Sequence, residues 1–398
     1  MIEKAHRIHH TQEYYFSKKL KEVALLKAAG REIYNLGIGS PDLLPDVSVL
    51  NAIQNAMTDA HAHQYQSYNG LPQFRTAITQ FYQRHYGVSL DPATQVLPLM
   101  GSKEGLLHIA LAFLDVGSKV LIPNPGYPTY DAVVKLVGGQ TVYYELNDLW
   151  EIDFDALNAM DLSGVKLMFV NYPNMPTGKA ASKALFEKLI AFGKSHQILI
   201  VNDNPYSFIL QEQPLSILEI DGALEVALEL NSLSKTFHMS GWRVGMVLGH
   251  SAYIDAILKV KSNMDSGMFY GIQMGAIAAL NLPDSWFEEQ QLIYRQRQAL
   301  VYEIAEKLNC KINKENSGLF VWAQVSDAVD DVSKFIDYIL YNYGVFCTPG
   351  CIFGSRGNRY IRLSLCMDCA DLRLVLNKLT DFVYPTIEID TGTYTDLH

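Results

Sequence analysis

An α/β fold with a doubly wound sheet is what the 398-residue sequence predicts, and two observations carry that reading. Four segments, KVLIPNP (119–125), KLMFVNYP (166–173), QILIVND (197–203) and EVALELNS (225–232), each hold four or five apolar residues, unbroken except at Glu229 in the last. Such runs suit strands buried on both faces of a parallel sheet. Helical patterns lie between them. In SKALFEKLIAFGKSH (182–196), Leu185, Phe186, Leu189 and Phe192 make one apolar stripe and Ser182 is placed to cap its start. Strand and helix in alternation give a mostly parallel sheet covered by helices on both faces.

The strand series falls within 45–275, which is expected to form a large domain. Residues 1–44 together with 276–398 are expected to form a smaller α/β domain. There, VWAQV (321–325), GVFCTPG (344–350) and YIRLSL (360–365) read as strands of a separate sheet. The segment 284–308, DSWFEEQQLIYRQRQALVYEIAEKL, has the charge pattern of a long helix leading into it. The last stretch, EIDTGTYTDLH, is polar and expected as a loose tail. No internal repeat or low-complexity tract interrupts this organisation.

Composition removes several classes of function. A net charge of -10 leaves no basic stripe for nucleic acid and no polybasic run for a membrane surface. The N-terminal MIEKAHRIHHTQEYYF lacks the apolar centre of a signal peptide, and no stretch offers eighteen consecutive apolar residues. A cytoplasmic protein is expected. Its five cysteines (310, 347, 351, 366, 369) all lie in the last quarter of the chain. Their C-x-x-x-C and C-x-x-C pairs could in principle hold zinc, but the spacing is irregular and the second pair follows a strand running into a helix; free thiols and no metal are the preferred reading. His61, His63 and the His9–His10 pair have no third ligand nearby in sequence and read as surface or cap residues.

Ligands of open α/β sheets sit beyond the carboxyl ends of the strands. Asn171 and Asn174 follow LMFV, Asp203 follows ILIV with Tyr206 three residues on, and Ser232, Ser234 and Lys235 follow VALEL. One acidic residue after a strand often only caps a helix; Asp, Tyr and Lys arriving together at successive strand ends suit the chemistry of a lysine imine. Pyridoxal phosphate is the aldehyde cofactor held in that way, usually with an acid facing its ring nitrogen. In such a site Lys235 is the anchor, Asp203 keeps the ring nitrogen protonated, and Tyr206 donates to the phenolic oxygen. Ser232, Ser234 and Arg243 hold the phosphate, the guanidinium fork matching its oxygens.

The stretch SLSKTFHMSGWRVG (232–245) fits S-x-S-K-x-x-x-x-x-G-x-R-x-G, and the chain thereby resembles the fold-type I, class I/II aminotransferases. NLGIGSPD, YQSYNGLPQFR, GSKEG, PNPGYPTY, NMPTG, NDNPY and YIRLS follow in that family's order, and several look most like the branch of LL-diaminopimelate and related aminotransferases. The resemblance implies a large sheet domain with a smaller α/β domain, pyridoxal 5'-phosphate as cofactor, and ping-pong transfer of an amino group between an amino acid and a 2-oxo acid. It places Ser102 and Lys103 at a helix N-terminus by the phosphate. Tyr127 would stack on the pyridine ring, although taken alone it reads as a core tyrosine. Tyr65 would reach the phosphate of a neighbouring subunit in a homodimer with shared sites. Arg362 would grip the substrate α-carboxylate, and Gly39 would let backbone approach the substrate.

One position departs from the family: the asparagine usual before PTG is Met175, which cannot donate a hydrogen bond, so either Asn174 takes that role or Tyr206 carries it alone. Other functions stay open beside transamination. A carbon–sulfur β-lyase uses the same site after the same proton removal. A decarboxylase is disfavoured by Arg362, which would hold the departing carboxylate. A non-catalytic sensing module would need a fused DNA-binding domain, for which the first forty residues are too short and too weakly basic. The substrate side chain is not announced by any residue.

Overall fold

The computed structural model describes residues 2–9 and 15–383. The polar tail at 388–398 and His10 lie outside the described residues, as does the side chain of His9. A seven-stranded sheet is built from β1 (Val96–Leu99), β2 (Lys119–Asn124), β3 (Gln140–Glu145), β4 (Val165–Val170), β5 (Leu199–Asp203), β6 (Ala227–Ser232) and β7 (Gly245–Gly249). Its order is β1-β7-β6-β5-β4-β2-β3, and only β7 runs against its neighbours.

The apolar runs have the predicted cause. Along β4, Met168 and Val170 pack into a core with the helices Pro72–Tyr86 and Lys183–His196, while Leu167 and Phe169 pack on the opposite face under Ser102–Phe113 and Pro128–Leu136. Both faces are dry, so both alternating sets are apolar. Ser182 caps Lys183–His196, its side chain accepting from the Leu185 N–H. Glu229, the polar break in β6, is fully buried and held by Tyr82 Oη (2.8 Å), the Ile217 N–H (2.9 Å), Asn202 and Asn204. Burial raises its pKa while these bonds oppose the shift.

A second, antiparallel sheet has the order β10-β11-β9-β8, from β8 (Lys311–Ile312), β9 (Phe320–Gln324), β10 (Thr348–Pro349) and β11 (Tyr360–Ser364). The single strand expected over GVFCTPG is divided. Val345–Phe346 pairs in parallel with Tyr34–Asn35, and only Thr348–Pro349 joins the four-stranded sheet. The N-terminal helix Tyr15–Ala28 packs Phe16, Val23 and Leu26 into the core of this part.

Residue 275 falls inside the helix Tyr270–Leu280, which packs on Val47–Ala56 and Pro72–Tyr86. The long helix Asp284–Lys307 starts with Phe287 in the core of the large sheet and ends with Val301 and Ile304 in the core of the small one. All five cysteines are free, with Cys310 and Cys347 buried. His61 and His63 sit exposed in a short turn, where the Asp59 side chain accepts from the His61 N–H. Among the described residues no helix is long and apolar enough to cross a membrane.

Candidate active site

A cavity of about 480 Å³ opens beyond the carboxyl ends of β4, β5 and β6, where the small sheet meets the large one. β4 leads into Asn171, β5 ends on Asp203, and β6 ends on Ser232, after which the short helix Leu233–Thr236 carries Lys235. Every site residue expected from the sequence lines this cavity except Asn174 and Tyr65.

Asp203 is buried. Its Oδ2 accepts from Tyr130 Oη at 3.1 Å, and its Oδ1 has no partner among the described residues. Burial pushes the carboxyl up to about 7, against the Tyr130 bond and the positive charge of Lys235. An acceptor left open beside a cavity fits a cationic ring N–H. Tyr130 is fixed in turn by stacking on Phe169, with centroids 5.1 Å apart and planes 10° apart, and by Tyr127 edge-on at 5.5 Å.

Lys235 is half-buried, and its Nζ donates to the carbonyl of Gly39. Burial lowers its pKa; Arg362 and Arg243 push the same way, while Cys366 and Asp203 oppose them. The amine is therefore held toward its neutral, nucleophilic form.

The helix Ser102–Phe113 starts after Gly101 at φ 90 with no side-chain cap, which leaves first-turn N–H groups facing the cavity. A Cβ on Gly101 would lie 2.1 Å from Arg243 Nη2, so this glycine makes room for the guanidinium. Arg243, itself at φ 55, donates from Nη1 to the Ser240 carbonyl at 2.9 Å and approaches Ser234 Oγ at 3.5 Å. The Ser232 hydroxyl is occupied inside its turn, accepting from the Ser234 N–H, with Ser234 Oγ (2.8 Å) and the Val244 carbonyl (3.2 Å) both within reach of its one proton. Backbone N–H groups, an arginine and a serine together suit a phosphate dianion.

Opposite this corner, Arg362 is buried. Nη2 donates to the Gly37 carbonyl at 2.7 Å and Nη1 lies 3.3 Å from Met175 Sδ. Its guanidinium carbon is 3.9 Å from the ring centre of Phe320, 4.8 Å from Phe353 and 5.4 Å from Phe16. Gly39 lines the cavity, and a Cβ there would meet Phe320 Cζ at 2.2 Å, so the missing side chain admits a ring of the protein itself.

Asn174 does not face the cavity. Its Oδ1 accepts from Thr177 Oγ1 at 2.7 Å and its Nδ2 donates to the Asn171 carbonyl, so its side chain holds the 174–178 turn closed. Asn171 lines the cavity instead. It accepts from the Met175 N–H at 2.7 Å and donates to the Asp203 carbonyl, which spends one of its two amide hydrogens. Tyr65 is 91% exposed, outside the cavity, on a segment fixed by Lys261 Nζ donating to the Tyr68 carbonyl at 3.0 Å. Sequence reasoning also passed over Tyr130, whose one hint was its place three residues after Tyr127, and the apolar wall from Phe16, Leu20 and Phe353, for which no local signal exists.

A cradle for a dianion and a carboxylate left open for a ring cation ask for a phosphorylated pyridinium. A lysine whose pKa burial lowers in the same cavity suits an aldehyde, which defines the class: a fold-type I, pyridoxal 5'-phosphate-dependent enzyme. The family model for aminotransferase class I and II matches residues 31–379, and the chain belongs to that family, whose reaction is pyridoxal phosphate-dependent amino-group transfer. It is 37% identical over 374 residues to an LL-diaminopimelate aminotransferase of Nitratidesulfovibrio vulgaris, covering 92% of this chain and 96% of that one. A protein of the same name from Dehalococcoides mccartyi is 38% identical over 380 residues, 94% and 98% of the two chains. Among solved structures, substrate-bound BacF of Bacillus subtilis superposes with a TM-score of 0.93 at 32% identity, covering 98% of this chain and 100% of that one. These relatives do not favour the carbon–sulfur lyase alternative.

Proposed function

We propose that Lys235, Asp203 and Arg362 run both half-reactions of a transaminase in this one cavity, taking an amino group from an amino acid and giving it to a 2-oxo acid. The observation that carries the reading is that burial drives Lys235 and Asp203 toward their uncharged forms in the same cavity, which a charged ligand would complete. Pyridoxal 5'-phosphate, when bound, supplies an aldehyde to take the amino group and a ring to draw electron density from the substrate α-carbon. Asp203 stays ionised opposite the ring cation and keeps the ring nitrogen protonated. Lys235 anchors the cofactor, takes the α-proton as general base and returns it as general acid. Arg362 orients the α-carboxylate through parallel N–H donors. Ser102, Lys103, Ser234 and Arg243 hold the phosphate with the helix N-terminus, and Ser232 shapes the turn that presents Ser234. Tyr206 and Asn171 would hydrogen-bond the phenolic oxygen of a bound cofactor, and Tyr127 would pack against its ring. Two substrates that alternate in one site give ping-pong kinetics.

The working unit in this reading is a homodimer with shared sites. Support comes from Tyr65, an exposed ring on a segment anchored by Lys261, with Met264 and Phe269 also exposed in the stretch that follows Lys261, apolar groups suited to a second copy of the chain. The division into a large part near 45–275 and a small part from 1–44 with 276–398 belongs to the same reading. Its support is the two separate sheets, with Asp284–Lys307 as the bridge between their cores. A cytoplasmic setting accords with five free thiols. Borohydride reduction of the cofactor-loaded enzyme followed by peptide mapping tests the anchor. The label is expected on Lys235, and label on any other lysine would overturn the assignment.

A further inference from the structure

Five acidic or basic side chains line the cavity, and the proposed reaction uses each one: Asp203 at the ring nitrogen, Lys235 as anchor, Lys103 and Arg243 at the phosphate, and Arg362 at the α-carboxylate. Apart from Pro205 and a Ser40–Ser240 pair whose hydroxyls meet each other at 3.2 Å, the lining left for a substrate side chain is apolar: Phe16, Leu20, Ile38, Met175, Phe320 and Phe353. Three of these rings surround the Arg362 guanidinium itself, at 3.9 to 5.4 Å from its carbon, so an amino acid gripped there has them as its nearest neighbours.

Resting on the transaminase reading, we infer that the cavity selects 2-amino acids with an aromatic or branched apolar side chain over those carrying a second ionised group. A distal carboxylate or ammonium would be stripped of water against phenylalanine and methionine with no remaining counter-charge in this chain's own lining, a cost that two neutral serine hydroxyls already paired with each other do not offset. An apolar side chain instead covers rings that a small one leaves bare. Diaminopimelate, the substrate in the names of the sequence relatives, carries an ammonium and a carboxylate at its far end and falls on the disfavoured side. The wall is assembled from the N-terminal helix (Phe16, Leu20), the segment after Asn35 (Ile38), the NMPTG turn (Met175) and the small sheet with its adjoining turn (Phe320, Phe353), so substrate choice draws on parts of the chain remote from the lysine motif.

The test follows the cofactor absorbance of the loaded enzyme mixed with one amino acid at a time: phenylalanine, leucine, alanine, glutamate or LL-diaminopimelate. Phenylalanine or leucine is expected to react with a second-order constant on the order of 100-fold above the other three. Glutamate or diaminopimelate reacting as well as the apolar acids would overturn the inference and leave the transaminase intact. No reaction with any of the five would sink the transaminase reading, and this inference with it. Leu20→Arg, at a position 41% exposed and therefore tolerant of the change, places a cation in the wall. With an unchanged melting temperature, it should move the glutamate-to-phenylalanine ratio upward by about 10-fold or more. An unchanged ratio would mean that this wall does not meet the substrate side chain.

Discussion

Replacing Asp203 by asparagine keeps the shape of the side chain and removes one titration from the centre of the cavity. In the protein freed of cofactor, burial raises this carboxyl from 3.8 to about 7. At roughly 1.36 kcal/mol per pH unit, the gap is worth ~4 kcal/mol. The folded value lies above the unfolded one, so the stability linked to it is fully present below pH 3.8, is lost as pH rises toward about 7, and changes no further above that. Asparagine has no such dependence. The cofactor-free variant should therefore match the wild type near pH 4 and exceed it by ~4 kcal/mol at pH 7.5. At roughly 2.1 cal/mol/K per residue, that is ~5 °C in melting temperature for a chain of this size. Calorimetry of both cofactor-free proteins across that range measures the difference. With cofactor bound the order reverses, because the ring cation that offsets the buried charge finds only a neutral amide, and α-proton removal should slow by orders of magnitude. A stability difference that stays constant with pH, or a wild type that gains on the variant as pH rises, would refute the reasoning.

Asn171→Ala should shift the cofactor absorbance and weaken cofactor binding by ~1–3 kcal/mol, whereas Asn174→Ala should lower only the melting temperature, since its partners lie within its own turn; equilibrium titration with cofactor separates them, and the opposite pattern would restore Asn174 to the site. Mixing an inactive Lys235→Ala chain with a chain inactivated by a bulky or charged replacement at Tyr65 should restore activity, because one of the hybrid's two sites then has both residues intact. Verified hybrids without recovery, or an active monomer by light scattering, would end the shared-site proposal.

The residues that sequence reasoning located are those whose position follows from strand geometry. Asp203, Ser232 and Lys235 stand at or just past the ends of apolar runs, and because the strands are parallel their carboxyl ends all open on one edge of the sheet. Asn171 and Asn174 could not be told apart, because the choice rests on which of them closes a turn. Here the Gly178 N–H reaches the Asn174 carbonyl at 2.7 Å and Thr177 takes the Asn174 side chain. Tyr130 reads as a core tyrosine because its partner, Asp203, is 73 positions away. Phe16 meets Arg362 across most of the chain, a contact that no local pattern encodes. The division proposed near 275 is weakly marked in the sequence for a related reason: just beyond it the continuous helix Asp284–Lys307 serves two cores, so neither composition nor punctuation signals a change.

Two carbonyls set two residues apart, those of Gly37 and Gly39, receive the Arg362 guanidinium and the Lys235 amine respectively. Two residues of chain span no more than about 7 Å however they are bent. The interval between the groups proposed to grip a substrate and to move its proton is thus gauged by covalent bonds, on a segment that donates neither. In the proposed reaction the common end of every amino acid would meet this one ruler, while the length and shape of the other end would be judged by the apolar wall.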